Sequence, residues 1–335
     1  MQYDKSRGIA CLGEAMVVLW AGDDSVPGSL SRAVGGAEAN VAANLACLGL
    51  DARFISRLGD DEFGRYILGQ LTSQGVNTRA TILDGARQTG LYIKERTGAK
   101  SRMRYYRAGS AASAMSPSLL DEPPIAAALS DIGLLHLTGI TPALSGTTAE
   151  LCRRLSSRSL RSFRLSFDLN WRPTLWNDEK KRARIALAPL IRASDTVFMG
   201  SDEALALFDT GDPEELRSMF PEPDELVIKD DAHAVTVYTR GGPVTIPALT
   251  VNVIEPIGAG DAFAAGYIAG RTQGRSVRHS ARLGHLMAAH VLGQPADQMA
   301  APPPDIEEKL VLSDEDWASV VVGSPLAHQG PTTGP

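Results

Sequence analysis

Two hydrophobic periods alternate along this chain, and that alternation restricts its fold more than any other feature. Short apolar runs of strand length occupy 9–12, 52–55, 133–137, 164–167, 196–199, 226–228 and 234–238. Between many of them lie stretches with helical amphipathic spacing, at 37–48, 63–74, 147–156, 179–192 and 202–208. Successive parallel strands need a crossover, which a helix supplies. The pattern therefore predicts an α/β core with a mostly parallel sheet and helices on both faces. Ligands of such sheets bind beyond the carboxyl ends of the strands. Two stretches, 14–34 and 89–107, break the alternation and read as β-rich insertions at one end of the core. In the second, Gly98 marks a hairpin turn. Each is either a lid or an ordinary surface hairpin.

Composition removes several classes of function. With 44% hydrophobic and 21% charged residues, the 335-residue chain has the makeup of a packed globular protein, not a disordered or fibrous one. A formal net charge of -6 argues against a general nucleic-acid binder. No stretch approaches the length of a membrane span, and the apolar segment near the N-terminus is broken by Gly13 and Glu14, unlike a signal peptide. A cytoplasmic protein is the expectation. Cys11, Cys47 and Cys152 are isolated, which points to small buried apolar residues instead of a disulfide frame or zinc ribbon.

The sharpest local signal is Pro256-Ile257-Gly258-Ala259-Gly260-Asp261-Ala262-Phe263. Pro256 closes a strand expected at 250–254. Gly258 and Gly260 permit backbone conformations that other residues avoid, and a run of small apolar residues then reads as a tightly packed helix. A glycine turn entering a helix presents unpaired N–H groups and the positive end of the helix dipole, a setting for phosphate. Asp261 is then either the helix N-cap, or a base that takes the proton of a substrate hydroxyl while the N–H groups hold phosphoryl oxygens. The loop is not a Walker A motif, because no Gly-Lys-Ser or Gly-Lys-Thr follows. Phe263 stands where a Rossmann fingerprint needs its third glycine.

A second glycine pair, Gly35-Gly36, leads into another small-residue helix. It allows either close approach to a ligand or close helix packing. Asn40 in that helix can donate to and accept from sugar hydroxyls. Residues 35–64, which include Ser56-Arg57-Leu58-Gly59-Asp60-Asp61, resemble the first signature of the ribokinase-like, or PfkB, carbohydrate kinases. Residues 258–261 with their helix resemble the second, and the similarity runs over about 8–302. The resemblance implies a ribokinase-like three-layer α/β/α core in one kinase domain over 1–322, with lid segments at about 14–34 and 89–107. The remaining 323–335, rich in Gly, Pro and Thr, is expected to be disordered. The resemblance also implies ATP and Mg²⁺, an anion hole at Gly258, Ala259 and Gly260, and Asp261 as the general base. Lids of related kinases often pair into dimers, so a homo-oligomer through the lid is expected.

Strand alternation puts Tyr105 and Arg107 on one face, and Asp168, Asn170 and Arg172 on another at a carboxyl strand end. Two arginines near one pocket suit a carboxylate, while two solvated surface arginines are the plain alternative. Tyr105-Tyr106-Arg107-Ala108-Gly109-Ser110-Ala111, Leu137-Thr138-Gly139-Ile140-Thr141 and the 168–172 segment together resemble the 2-keto-3-deoxygluconate kinases of the family. That implies sugar-acid contacts from Gly36, Asn40, Tyr92, Tyr105, Arg107, Asn170 and Arg172, with Asp261 facing the terminal hydroxyl. A kinase for fructose or for the galacto epimer is the alternative, and a catalytically silent sugar-binding protein is a further one.

The chain departs from the family pattern in places. Glu255-Pro256 replaces the usual Asp-Thr, which removes a hydroxyl and an N–H from any monovalent-cation site there. Of the common Asn-x-x-Glu only Glu203 remains, either ordering magnesium-bound water or serving as a first-turn helix acid. Lys229 opens a glycine-free turn where a glycine-rich nucleotide turn often occurs, and it is assigned to ATP. His285 either lines the adenine pocket or packs in the core. His290, five residues on, does not share its face.

Overall fold

The apolar runs become strands at or near their expected places in the computed structural model, which describes residues 3–21, 29–97, 100–159, 161–294 and 298–323. Gly98 and, apart from Gly323, the expected tail lie outside the described residues. In chain order the strands are β1 (Gly8–Leu12), β2 (Met16–Ala21), β3 (Leu30–Gly35), β4 (Ala52–Gly59), β5 (Thr81–Asp84), β6 (Leu91–Thr97), β7 (Lys100–Tyr106) and β8 (Ile132–Thr138). They continue as β9 (Arg164–Asp168), β10 (Thr196–Gly200), β11 (Glu225–Asp230), β12 (Ala234–Thr239), β13 (Gly242–Pro247), β14 (Thr250–Val251) and β15 (Val321–Val322). The helices are α1 (Ala37–Cys47), α2 (Glu62–Ser73), α3 (Pro123–Ser130), α4 (Gly146–Leu155), α5 (Lys180–Ala193) and α6 (Ser201–Phe208), then α7 (Pro213–Met219), α8 (Ala259–Thr272), α9 (Val277–Leu292), α10 (Ile306–Leu310) and α11 (Asp314–Ala318).

Nine strands form one sheet in the order β13-β12-β11-β10-β9-β8-β1-β4-β5. All neighbours from β5 to β11 run parallel. The 234–238 run belongs instead to an antiparallel edge hairpin, β12–β13, because the turn after β11 is too short for a crossover. Helices α1, α2, α8 and α9 cover one face around Phe54, Leu134, Phe198 and Tyr267. The other face buries Leu135, Phe167, Leu187 and Met199 beneath α3 to α7. This is a three-layer α/β/α core. The order reverses at β1, which lies between β4 and β8, so a crevice opens above the carboxyl ends of the central strands.

A second sheet, β3-β2-β6-β7, is built from the two stretches that broke the alternation. Met16, Val18 and Tyr92 form its own small buried cluster. The strand expected at 250–254 is shorter than the sequence suggests. Only Thr250–Val251 pairs, with β15, and the chain then runs irregularly to α8.

Helices α8 and α9 cross at near-backbone contact, which small residues permit. A Cβ added to Gly284 would lie 2.8 Å from the Phe263 ring. Cores this tight resist added volume. Gly284→Val should lower the unfolding free energy by about 1–3 kcal/mol, measured by urea denaturation. Unchanged stability would show that the crossing has slack.

Candidate active site

Gly258 is the N-cap of α8, with φ 83, and no side chain caps the helix. That corrects the N-cap reading of Asp261, which lies in the first turn and turns its carboxylate elsewhere. Asn40 Nδ2 donates to Asp261 Oδ2 at 2.8 Å. Asn40 is itself fixed, since its Oδ1 accepts from Gln298 Nε2 at 3.0 Å. The residue expected at sugar hydroxyls thus also orients the acid. Asp261 is half-buried in a cleft of about 900 Å³. Desolvation pushes its pKa up to about 7 against the Asn40 hydrogen bond, and the nearby Asp168 charge adds to the rise.

Residues from β9, β10 and β11 converge on the same cleft. Strand β9 ends at Asp168, so Asp168, Asn170 and Arg172 do not share a face by alternation. A loop brings them together, with Asn170 at φ 40 in the left-handed region. The buried Asn170 Oδ1 has no hydrogen-bond partner among the described residues. Lys229 Nζ donates to Asp168 Oδ2 at 3.1 Å and approaches the Gly260 backbone. Burial alone would lower the Lys229 pKa, but Asp168 and Glu203 hold it above the ordinary value. Glu203 fits its reading as a first-turn helix acid. It accepts from the Gly200 N–H at 3.3 Å at the start of α6, and it borders the cleft. Burial, then the Asp168 charge, raise its pKa.

Arg107 and Arg172 both line the cleft, and both are paired. Arg107 forms an ion pair with the buried Glu14. Arg172 Nη1 contacts Glu203 Oε1 at 3.1 Å. Tyr92 and Tyr105 face each other across β6 and β7, with ring centroids 5.1 Å apart. Gly36, at φ 138, passes so close to the Glu14 carbonyl that a Cβ would sit 2.3 Å away. His285 is packed against Phe263 and Trp317, and its Nε2 lies 3.3 Å from the Ile246 carbonyl. It also edges the cleft, and burial lowers its pKa to about 4, so the ring is neutral near pH 7.

The geometry joins a helix-mouth glycine loop, a half-buried carboxylate and paired cations in one crevice. Residues 6–303 match the pfkB family of carbohydrate kinases. The chain belongs to this family. The PfkB kinase is 33% identical to a 2-dehydro-3-deoxygluconokinase of Thermoproteus tenax, over 90% of this chain and 94% of that one. It is 27% identical to a 5-dehydro-2-deoxygluconokinase of Bacillus velezensis, over 89% of this chain and 92% of that one. The crystal structure of a 2-dehydro-3-deoxygluconokinase from Thermotoga maritima superposes with a TM-score of 0.80 at 25% identity, covering 91% of this chain and 99% of that one.

Sequence reasoning about this PfkB kinase missed Asp168 as a site residue, and it missed Glu14 and Lys94. Glu14 carried a readable signal, an acid inside an otherwise apolar stretch. Lys94 of β6 forms an ion pair with Glu255, just ahead of the glycine loop. A lysine therefore meets the carboxylate at the loop where the sequence departs from the family pattern. Among the described residues no helix is long and apolar enough to cross a membrane.

The raised Asp261 pKa carries a stability consequence with a definite sign. The folded state holds this proton more tightly than the unfolded chain, so ionisation weakens folding as pH rises from the ordinary carboxylate range through about 7. Asp261→Asn should therefore gain stability relative to wild type at pH 8 and lose that gain toward pH 4. Thermal melts of both proteins across this range check it.

Proposed function

We propose that this PfkB kinase transfers the terminal phosphoryl group of ATP to the terminal hydroxyl of 2-keto-3-deoxygluconate (2-dehydro-3-deoxygluconate), giving the 6-phosphate. One observation carries the reading. A single cleft has Asp261 beside the Gly258 loop and also has the arginines Arg107 and Arg172 in its wall. The names of the relatives support an acid substrate.

In this reading the acid end of the sugar meets Arg107 and Arg172 beside Tyr92, Tyr105, Gly36 and Asn170. Its terminal hydroxyl meets Asp261. A carboxylate with a pKa of about 7 is well matched to act as base near neutral pH. Asn40 holds it in place. As the new O–P bond forms and the bond to ADP breaks, Asp261 takes the hydroxyl proton. The N–H groups at Gly258, Ala259 and Gly260, with Lys229, receive the charge on the phosphoryl oxygens. Apolar residues Val235, Leu249 and Leu292 extend the cleft beyond the loop and suit adenine, with His285 at their edge.

Desolvation, and with it the Asp168 charge, raises the pKa of both Glu203 and Asp261, a repulsion that a divalent cation would relieve. Mg²⁺ accompanying the triphosphate would be held through water by Glu203 and would neutralise phosphate charge. The ion pairs with Glu14 and Glu203 offset the two guanidinium charges, which is the observation that favours a neutral sugar instead. Each guanidinium retains further donors for a substrate, so the acid remains the better reading.

An ADP-release assay with Mg-ATP tests the substrate against 2-keto-3-deoxygluconate, its galacto epimer, 5-dehydro-2-deoxygluconate, fructose, ribose and adenosine. The first should show the highest kcat/KM; faster turnover of a neutral sugar overturns the assignment. Asp261→Asn should lower kcat by roughly 10²–10⁴ with the sugar KM nearly unchanged. Near-normal turnover would remove Asp261 as base. In wild type, kcat/KM should climb with pH to a plateau, with its inflection near the free-enzyme pKa of about 7.

A further inference from the structure

We infer that Glu14 is a positioning residue that holds Arg107 at the acid end of the sugar; the inference rests on the substrate reading above. Four chain segments connect the core to the small sheet, and Glu14 lies where they meet. It follows β1 and precedes β2. Its backbone carbonyl abuts Gly36, at the exit from β3. Its Oε1 lies 3.0 Å from where a Cβ on Gly90 would stand, at the entry to β6. The same Oε1 accepts from Ser110 Oγ at 2.7 Å, and its Oε2 pairs with Arg107, both just beyond β7. Glu14 is only 1% exposed.

The Arg107 side chain retains 11% of its exposure while lining the cleft. A buried guanidinium without a counter-charge is strongly disfavoured, so without Glu14 the long side chain moves to water. The other buried acid nearby, Glu38, directs its Oε1 to the hydroxyls of Thr138 and Thr141, and it attracts Arg107 without forming an ion pair with it. That leaves Glu14 as the carboxylate in ion-pair contact with Arg107. Arg107 Nε is buried and has no hydrogen-bond partner among the described residues, so the ion pair with Glu14 is what anchors the group. Two effects oppose each other here. Coulomb repulsion between Glu14 and an anionic substrate weakens binding, whereas holding Arg107 in the cleft strengthens it. The burial of Arg107 makes the second dominant.

Steady-state kinetics on the full chain with Mg-ATP test this. The proteins are wild type, Glu14→Gln, Glu14→Asp, Arg107→Lys, Ser110→Ala and the double variant Glu14→Gln/Arg107→Lys, each checked for a cooperative melt. Glu14→Gln should raise KM for 2-keto-3-deoxygluconate roughly tenfold or more, with kcat and the ATP KM within about threefold. Glu14→Asp, which keeps the charge on a shorter arm, should recover part of the loss. The double variant should be no worse than Arg107→Lys alone. An unchanged or lowered KM in Glu14→Gln overturns the inference, because repulsion alone predicts the lower value. Full additivity in the double variant overturns it too. Should Glu14→Gln not fold, a raised sugar-acid KM in Glu14→Asp or Ser110→Ala supports the assignment, and wild-type KM in both defeats it. A wild type that phosphorylates only neutral sugars sinks the substrate reading instead, before any variant is compared.

Discussion

The site depends on a partly desolvated carboxylate at the mouth of a helix. Desolvation drives Asp261 toward its protonated form, while the Asn40 amide and the nearby cations Arg172 and Lys229 pull it back. Neither tendency wins outright, and the balance leaves the group near neutrality. Asn40 comes from α1 and Lys229 from β11, so the balance exists only when segments distant along the chain are packed together. The close crossing of α8 on α9 gives that carboxylate a rigid base. A helix free to shift by an ångström would lose the Asn40 contact and the alignment of its N–H groups.

Charge in the cleft is arranged in pairs. Lys229 meets Asp168, Arg172 meets Glu203 and Arg107 meets Glu14. Partly desolvated ions are tolerable when paired, and the pairs also fix long side chains that would otherwise swing. The small sheet contributes in the same way. Its tyrosines Tyr92 and Tyr105 form one wall of the cleft, and Lys94 reaches across to Glu255 ahead of the glycine loop. The small sheet and the segment ahead of the glycine loop are thus tied by side chains as well as by backbone.

Much of the fold was legible because its signals are local. Buried parallel strands and amphipathic helices write their periods into contiguous residues, and the glycine loop announces itself through residues that allow φ 83 at Gly258. The failures have a common cause. The strand β13, the shortness of β14 and the loop that gathers Asp168, Asn170 and Arg172 were not legible, because their geometry depends on what packs beside them. Asn170 in the left-handed region breaks the alternation that a continuous strand would have shown.

The chain by itself determined that strands and helices alternate, and that a helix begins at a phosphate-suited glycine turn with an acid in its first turn. These follow from side-chain period and backbone sterics, which act over a few residues. Only the tertiary structure decided which charges meet. Glu14 lies 93 positions before Arg107, and Asp168 61 before Lys229, so no pattern along the chain records them. The raised pKa of Asp261 likewise arises from burial among groups remote in sequence, since desolvation is a property of the packed assembly and not of any segment.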